Sequence, residues 1–342
     1  MSPELILKTP MKHFAAILML FSTAALAQPA EYDVRPVKLP GEIPMTLDYF
    51  AWDSASASLW VPGGNTGNVI ALQGASKELT VVTGFQTQEV TRGTRRVRMG
   101  PSSATVGSAV VYVGNRADSN VCAVDTATLK VAGCVKLSIG APDGIAYVAA
   151  TKEVWITIHG KTLGILDVSD PRAPREKDTI PLGASAEGYA VDEKHGIFYT
   201  NLEESAETIG IDVRKRKVVT RWKPGCDDAR GLALDEARGF LLNACAGRVI
   251  TIDTNHGGKV VGSVETGAGL DNIDYSPSKH LLYAAAGKGA TLTIASVDDS
   301  GRLSSVAVIP TATGARGVVA GDAGTAYVAD PVNGRILVVT PR

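Results

Sequence analysis

The chain has no surplus of charge of either sign. Its 34 Lys and Arg stand against 35 Asp and Glu, and such a balance gives no support to a dedicated nucleic-acid or membrane-surface binder. It has no long apolar run after residue 26, so no later segment reads as a transmembrane helix, which needs about 20 apolar residues. Cysteines number only 4, and no two are spaced Cys-x-x-Cys, which argues against zinc. Aromatic residues are only 6%, and no amphipathic helix of useful length follows the first segment. No Pro/Ser-rich linker, charge block or low-complexity stretch divides the chain, so 342 residues need not mean two domains. G-x-S-x-G, H-E-x-x-H and P-loop motifs are all missing, which removes the most recognisable hydrolase and nucleotide chemistries.

What is present begins with an address. Lys12 and His13 precede an apolar run from Phe14 to Leu26, and Ala25-Leu26-Ala27 follows with small residues at the outer positions. Charged start, apolar stretch and A-x-A exit describe a secretory signal peptide over residues 1–27, with Met11 as an alternative start. The expected mature chain, residues 28–342, carries 32 basic against 34 acidic residues, a net charge of −2. It is expected to be periplasmic or secreted.

A hydrophobic phrase followed by a polar turn, as in Val111-Tyr112-Val113-Gly114-Asn115, recurs about every forty residues. Aligned on the residue that opens each first strand, the units start at Tyr49, Ser103, Gly144, Gly188, Gly231, Asn272 and Gly317. The spacings are 54, 41, 44, 43, 41 and 45. Each unit reads strand, turn, strand, loop, strand, turn, strand, which is one propeller blade. The expected fold is therefore all-β, a single seven-bladed β-propeller. The last unit ends at Arg335-Ile336-Leu337-Val338-Val339 with three strands, while Glu31 to Leu39 is extended and unassigned. Pairing that segment as the outer strand of the last blade would close the ring and remove a free edge. The long first spacing predicts an insertion between Thr83 and Gly100.

At these phrases the chain resembles the YVTN-type β-propeller repeat proteins. Phe198-Tyr199-Thr200-Asn201 nearly spells the signature, and Leu59-Trp60-Val61, Leu281-Leu282-Tyr283 and Ala326-Tyr327-Val328 occupy the same place. Asn120 to Asp125 and Arg248 to Asp253 match the third-strand phrase. The units near Gly144 and Asn272 depart, with Ile156-Thr157-Ile158 and Ala284-Ala285-Ala286 at the signature. The resemblance covers almost all of the mature chain. It implies an exported bacterial protein with seven blades, and it says little about function because the motif residues are structural.

Four cysteines in an exported chain permit two disulfides. Cys122 and Cys134 face each other across the predicted third-to-fourth-strand hairpin. Cys226 and Cys245 flank the start of one first strand and the end of its second.

In a propeller the first strands line the axis, and the residue before each aligned position should point to a common mouth. These residues are Asp48, Ser102, Asp143, Glu187, Arg230, Asp271 and Arg316. His159, Asn115, Asn201 and Asn243 should approach the same face. Arg offers a planar fork for carboxylate or phosphate, and the acids suit a cation, an amine or the arginines themselves. Asp227 and Asp228 add negative charge beside Arg230.

Other motif matches are set aside. Ser276-Pro277-Ser278-Lys279 fits S-x-x-K but lies in a blade turn. Asp298-Asp299-Ser300-Gly301 has the flavour of a calcium loop but reads better as a hairpin turn. Arg92, Arg95, Arg96 and Arg98 form a basic cluster without a stacking platform.

Two functions remain. One is a binding or scaffold propeller, not an enzyme, whose mouth holds a small charged ligand or a protein loop and needs no cofactor. The other is a metal-dependent hydrolase or lactonase, with calcium or magnesium held at the axis by Asp143, Glu187, Asn201, Asn243 and Asp271. Arg230 and Arg316 would oppose that cation, which favours binding.

Overall fold

Each repeat folds as a four-stranded antiparallel sheet whose two middle strands are buried on both faces. Val110–Asn115 and Glu153–Ile158 are buried at every residue. Their alternate side chains serve two different interfaces: Val111 and Val113 pack toward the preceding blade, Val110 and Tyr112 toward the following one. That is why these strands read as continuous apolar runs rather than alternating ones. Outer strands such as Lys130–Lys136 are largely exposed.

The computed structural model describes residue 1 and residues 31–342. The expected leader over residues 1–27 lies outside the described residues, apart from Met1. Among them there are seven four-stranded sheets, one two-stranded hairpin and no α-helix. Blade 1 is Ala51–Asp53, Ser58–Pro62, Val69–Gln73 and Leu79–Val82; blade 2 begins at Pro101–Val106, blade 3 at Pro142–Val148, and blade 4 at Ala186–Asp192. Blade 5 begins at Leu232–Asp235, blade 6 at Leu270–Ser276, and blade 7 at Val318–Ala320. The YVTN-like phrase Phe198 to Asn201 lies in the second strand of blade 4, Ile197–Leu202.

The turns are set by recurring aspartates. Asp125 Oδ1 accepts from the amides of Ala127 and Thr128 at 3.0 and 2.8 Å. Asp212 does the same for Arg214 and Lys215, and Asp253 for Asn255 and His256. An Asp closing the third strand thus holds the next turn by its own side chain, the local bond that favours Asp there.

The ring closes as the sequence predicts. Tyr32–Lys38 pairs antiparallel with Arg335–Pro341 as the outer strand of blade 7, with Val34 opposite Val339. Arg342 binds Asp33 and Glu31 at 2.8 and 2.9 Å, tying the chain end to this strand. Apolar packing closes the circle as well. Seven clusters of buried residues each join two neighbouring blades, and the one containing Leu59, Ile70, Tyr327 and Val338 joins blade 7 to blade 1. Fully burying one such Leu or Ile is worth about 1.5–3 kcal/mol, so each interface is a substantial adhesive.

The insertion between blades 1 and 2 is a hairpin of Gln88–Arg92 and Arg95–Met99. Its Arg98 pairs with Glu89 and Glu42 at 3.4 and 3.6 Å. Asp298 Oδ1 caps the turn between the last two strands of blade 6 through the amides of Ser300 and Arg302, the hairpin role read from sequence. Both expected disulfides form, with Cα atoms 4.0 Å apart for Cys122–Cys134 and 5.1 Å for Cys226–Cys245. Cys245 ends the second strand of blade 5, Phe240–Cys245.

Candidate functional site

The inner strands come so close that backbone meets backbone around the axis. The amide of Tyr49 donates to the carbonyl of Ser102 at 3.1 Å, and that of Gly231 to Asp271 at 2.8 Å. A Cβ at Gly231 would lie 2.5 Å from that Asp271 oxygen, and one at Gly188 would overlap the carbonyl oxygen of Arg230. Gly188 also sits at φ +66°, where L side chains are strained. Glycine at these positions is the condition for a narrow ring.

Directly before this level the strand register slips. The slips fall between Pro101 and Ser103, Pro142 and Ile145, Glu187 and Tyr189, and Leu270 and Ile273. Each is a bulge at the residue expected to point toward the axis, and a bulge re-aims the side chain it carries. At this level a cavity of about 510 Å³ opens at the axis. Asp48, Asp143, Glu187, Arg230, Asp271, Arg316 and His159 line it together. Ser102 does not. It is 3% exposed, and its hydroxyl is buried without a partner among the described residues. The side chain is too short, and Arg116 takes its place by spanning blade 2 from Asp48 to Asp143.

Arg116 follows the second strand of blade 2. Its Nη2 donates to Asp48 Oδ2 at 2.9 Å and also to Asp143 Oδ1. Arg230 is gripped by three acids: Nη1 reaches Glu187 and Glu203, both at 2.9 Å, and Nη2 reaches Asp228 at 2.8 Å. Arg316 Nε lies 3.0 Å from Asp271 Oδ2. His159 is exposed, with Nε2 3.5 Å from Asp143 Oδ1. Lys288, from the loop after the second strand of blade 6, adds a further cation. Five lining carboxylates therefore face four fixed cations.

Burial strains the acids. It pushes the Asp48 carboxyl up to about 6; Arg116 opposes the rise, while Asp271 and Asp143 reinforce it. Burial likewise raises Asp271 against the pull of Arg316, and Glu187 against its hydrogen bond from Arg230. Below this layer Tyr49 stacks on Tyr189, with ring centroids 5.7 Å apart. Asp48 and Tyr49 also wall a second cavity of about 170 Å³ that reaches Asp274. Burial pushes Asp274 up to about 6, opposed by its bonds from the Ala320 and Tyr275 amides.

The asparagines expected near the mouth are used elsewhere. Asn201 and Asn243 bond each other at 3.0 Å and share Thr208, and Asn201 also binds the carbonyl of Arg230. Both are fully buried. Asn115 is spent on the carbonyl of Gln86 and the amide of Ala117. They lock blades rather than face a ligand. Asp143, Glu187 and Asp271 each commit an oxygen to an arginine, and among the described residues no three His, Cys, Asp or Glu side chains converge as metal ligands. Asn201 and Asn243 are therefore not available as ligands of an axial calcium or magnesium ion.

Fold and site together define a class: a seven-bladed β-propeller with a charged axial mouth. No protein-family model matches the chain, and no curated protein matches it in sequence. Among solved structures it is similar to a chain of the mitotic checkpoint complex, at TM-score 0.72 and 13% identity, covering 96% of this chain and 99% of that one. It is also similar to a chain of hydrazine synthase from Kuenenia stuttgartiensis, at TM-score 0.70 and 16% identity, covering 88% of this chain and 96% of that one. At such identities the likeness concerns the fold.

Proposed function

We propose that this chain is an exported, YVTN-like propeller that binds a small charged ligand in its axial mouth and performs no chemistry on it. The observation that carries this reading is the cavity of about 510 Å³ walled by charged side chains, a volume within the range usual for small-molecule sites. The two disulfides and the leader pattern support export. No helix of the described residues is long and apolar enough to cross a membrane.

A ligand that binds only the folded state raises its melting temperature by mass action. Thermal shifts with a panel of small amines, carboxylates, calcium and magnesium test the reading. At least one organic ion should stabilise the wild type and lose its effect in Asp143→Asn. Stabilisation by calcium or magnesium alone, abolished by the same substitution, would replace this reading with the metal one.

A further inference from the structure

Taking one charged side chain from each blade, the mouth carries a ring of seven. Asp48 in blade 1 is followed by Arg116 in blade 2 and Asp143 in blade 3, and after Glu187 in blade 4 come Arg230, Asp271 and Arg316. Signs alternate around the circle, and Arg316 meets Asp48 again with opposite sign. Seven positions cannot alternate completely. In this series like charges follow one another only from Asp143 to Glu187, with Asp228 and Lys288 lining the mouth outside it.

These two acids also keep unused capacity. Asp143 gives Oδ1 to Arg116 and His159, and Glu187 gives Oε1 to Arg230. Among the described residues, Asp143 Oδ2 and Glu187 Oε2 accept no hydrogen bond, although the two residues are only 4% and 9% exposed. Both line the cavity. Each arginine of the mouth is already held by a carboxylate. Among the described residues Arg316 is held through Nε alone and Lys288 by no carboxylate, but the five lining carboxylates outnumber the four lining cations, and a cation meets the two free oxygens of Asp143 and Glu187.

We propose that the ligand presents a primary ammonium group, which sits between Asp143 and Glu187 and completes the charge alternation of the ring. This rests on the mouth being a binding site and names the chemistry that the site selects. The raised pKa of Glu187, caused first by burial and also by Asp143, is consistent with a site short of positive charge. An ammonium carries three N–H donors, Asp143 and Glu187 each keep one oxygen without a donor, and buried charge-assisted bonds of this kind are the strong ones.

Isothermal titration with n-butylammonium, a capped lysine tripeptide and glutarate, each against wild type, Glu187→Gln, Asp143→Asn, Arg316→Ala and the remote Glu42→Gln, tests this. Butylammonium should bind the wild type and Glu42→Gln equally, and weaken about tenfold in Glu187→Gln and in Asp143→Asn, the effect of one lost charge-assisted bond. Tighter binding of the free amine than of the tripeptide identifies a small-molecule source, and the reverse order a protein one; either supports the ammonium assignment. Melting curves confirm that each variant is folded, and Glu187→Gln keeps an oxygen for Arg230. Glutarate binding lost in Arg316→Ala, with the amines silent, would overturn the ammonium assignment and leave the mouth as a binding site. Amine binding unchanged in both Glu187→Gln and Asp143→Asn would also overturn it. Silence of all three probes would overturn the assignment and count against the mouth itself.

Discussion

Val34 stands opposite Val339, so the first described strand of the chain is the outer strand of its last blade. Seven residue pairs make this join, from Tyr32 with Pro341 to Lys38 with Arg335. Without it, blade 7 would end in an open edge. Deleting residues 31–38 is therefore expected to lower the melting temperature by several degrees and to promote self-association. Calorimetry and light scattering check this; an unchanged melting point would mean that the ring does not depend on its clasp.

Gly188 presses against the carbonyl of Arg230 at positive φ. Gly188→Ala should cost at least about 1–2 kcal/mol from backbone conformation alone, and more from the overlap. It should also disturb the neighbouring Glu187–Arg230 pair, so ligand affinity should fall together with stability. A variant as stable as wild type by denaturant titration would contradict the close approach of blades 4 and 5.

Arg116 is nearly buried between Asp48 and Asp143. Arg116→Met leaves both carboxylates without their cation, and removing one partner of a buried pair costs about 3–5 kcal/mol. A loss of about 10 °C in melting temperature at pH 7 follows, at about 2–4 °C per kcal/mol for a large domain. The loss should shrink near pH 5, where Asp48 takes up its proton.

The buried acids also set the pH dependence. Asp48 and Asp274 move from 3.8 to about 6 on folding. A carboxyl with a raised folded pKa binds its proton more tightly in the native state, so stability falls as pH rises from about 4 through 6. Asp125 shifts the other way, to about 2, held by the Thr128 amide and Arg172. Its contribution is present above about 4 and is lost as pH falls toward 2. These groups together place the stability maximum near pH 4, with a decline on either side. In the double variant Asp48→Asn, Asp274→Asn the decline above pH 4 should flatten, whatever its absolute stability; a decline as steep as in wild type would remove these two groups as its source.

The disulfides should differ in lability. Cys226 and Cys245 are buried at 1% and 2% exposure, whereas Cys134 lies on an exposed outer strand. Mild reductant should open Cys122–Cys134 first, seen by intact mass after alkylation. Loss of the buried bridge in Cys226→Ser, Cys245→Ser should cost about 3 kcal/mol in the chain-entropy model. Equal rates of reduction would contradict the burial difference.

The fold was legible because each repeat carries its own signals. The phrase recurring at about forty residues marks the blades, and the missing fourth strand of the last unit identified Glu31 to Leu39 as its complement. The mouth was legible for Asp48, Asp143, Glu187, Arg230, Asp271, Arg316 and His159, since their register follows from the repeat. Ser102 shares that register, but a short side chain cannot reach an axis that a longer neighbour already spans. Arg116, Glu203 and Lys288 went unnamed although each follows a second strand, as His159 does; the position was readable, but no local motif marks which residues there are long enough to turn inward. Asn201 and Asn243 misled for the opposite reason. A polar residue at the end of a central strand looks available until its partner 42 residues away, in the next blade, is in view.

The most direct test is a crystal structure of the protein grown or soaked with n-butylammonium. The account predicts density for the ammonium between Asp143 and Glu187, within hydrogen-bonding distance of Asp143 Oδ2 and Glu187 Oε2, with the ion pairs of Arg116 and Arg230 intact. An amine bound only on the outer blades, or a mouth that stays unliganded at saturating amine, would contradict it.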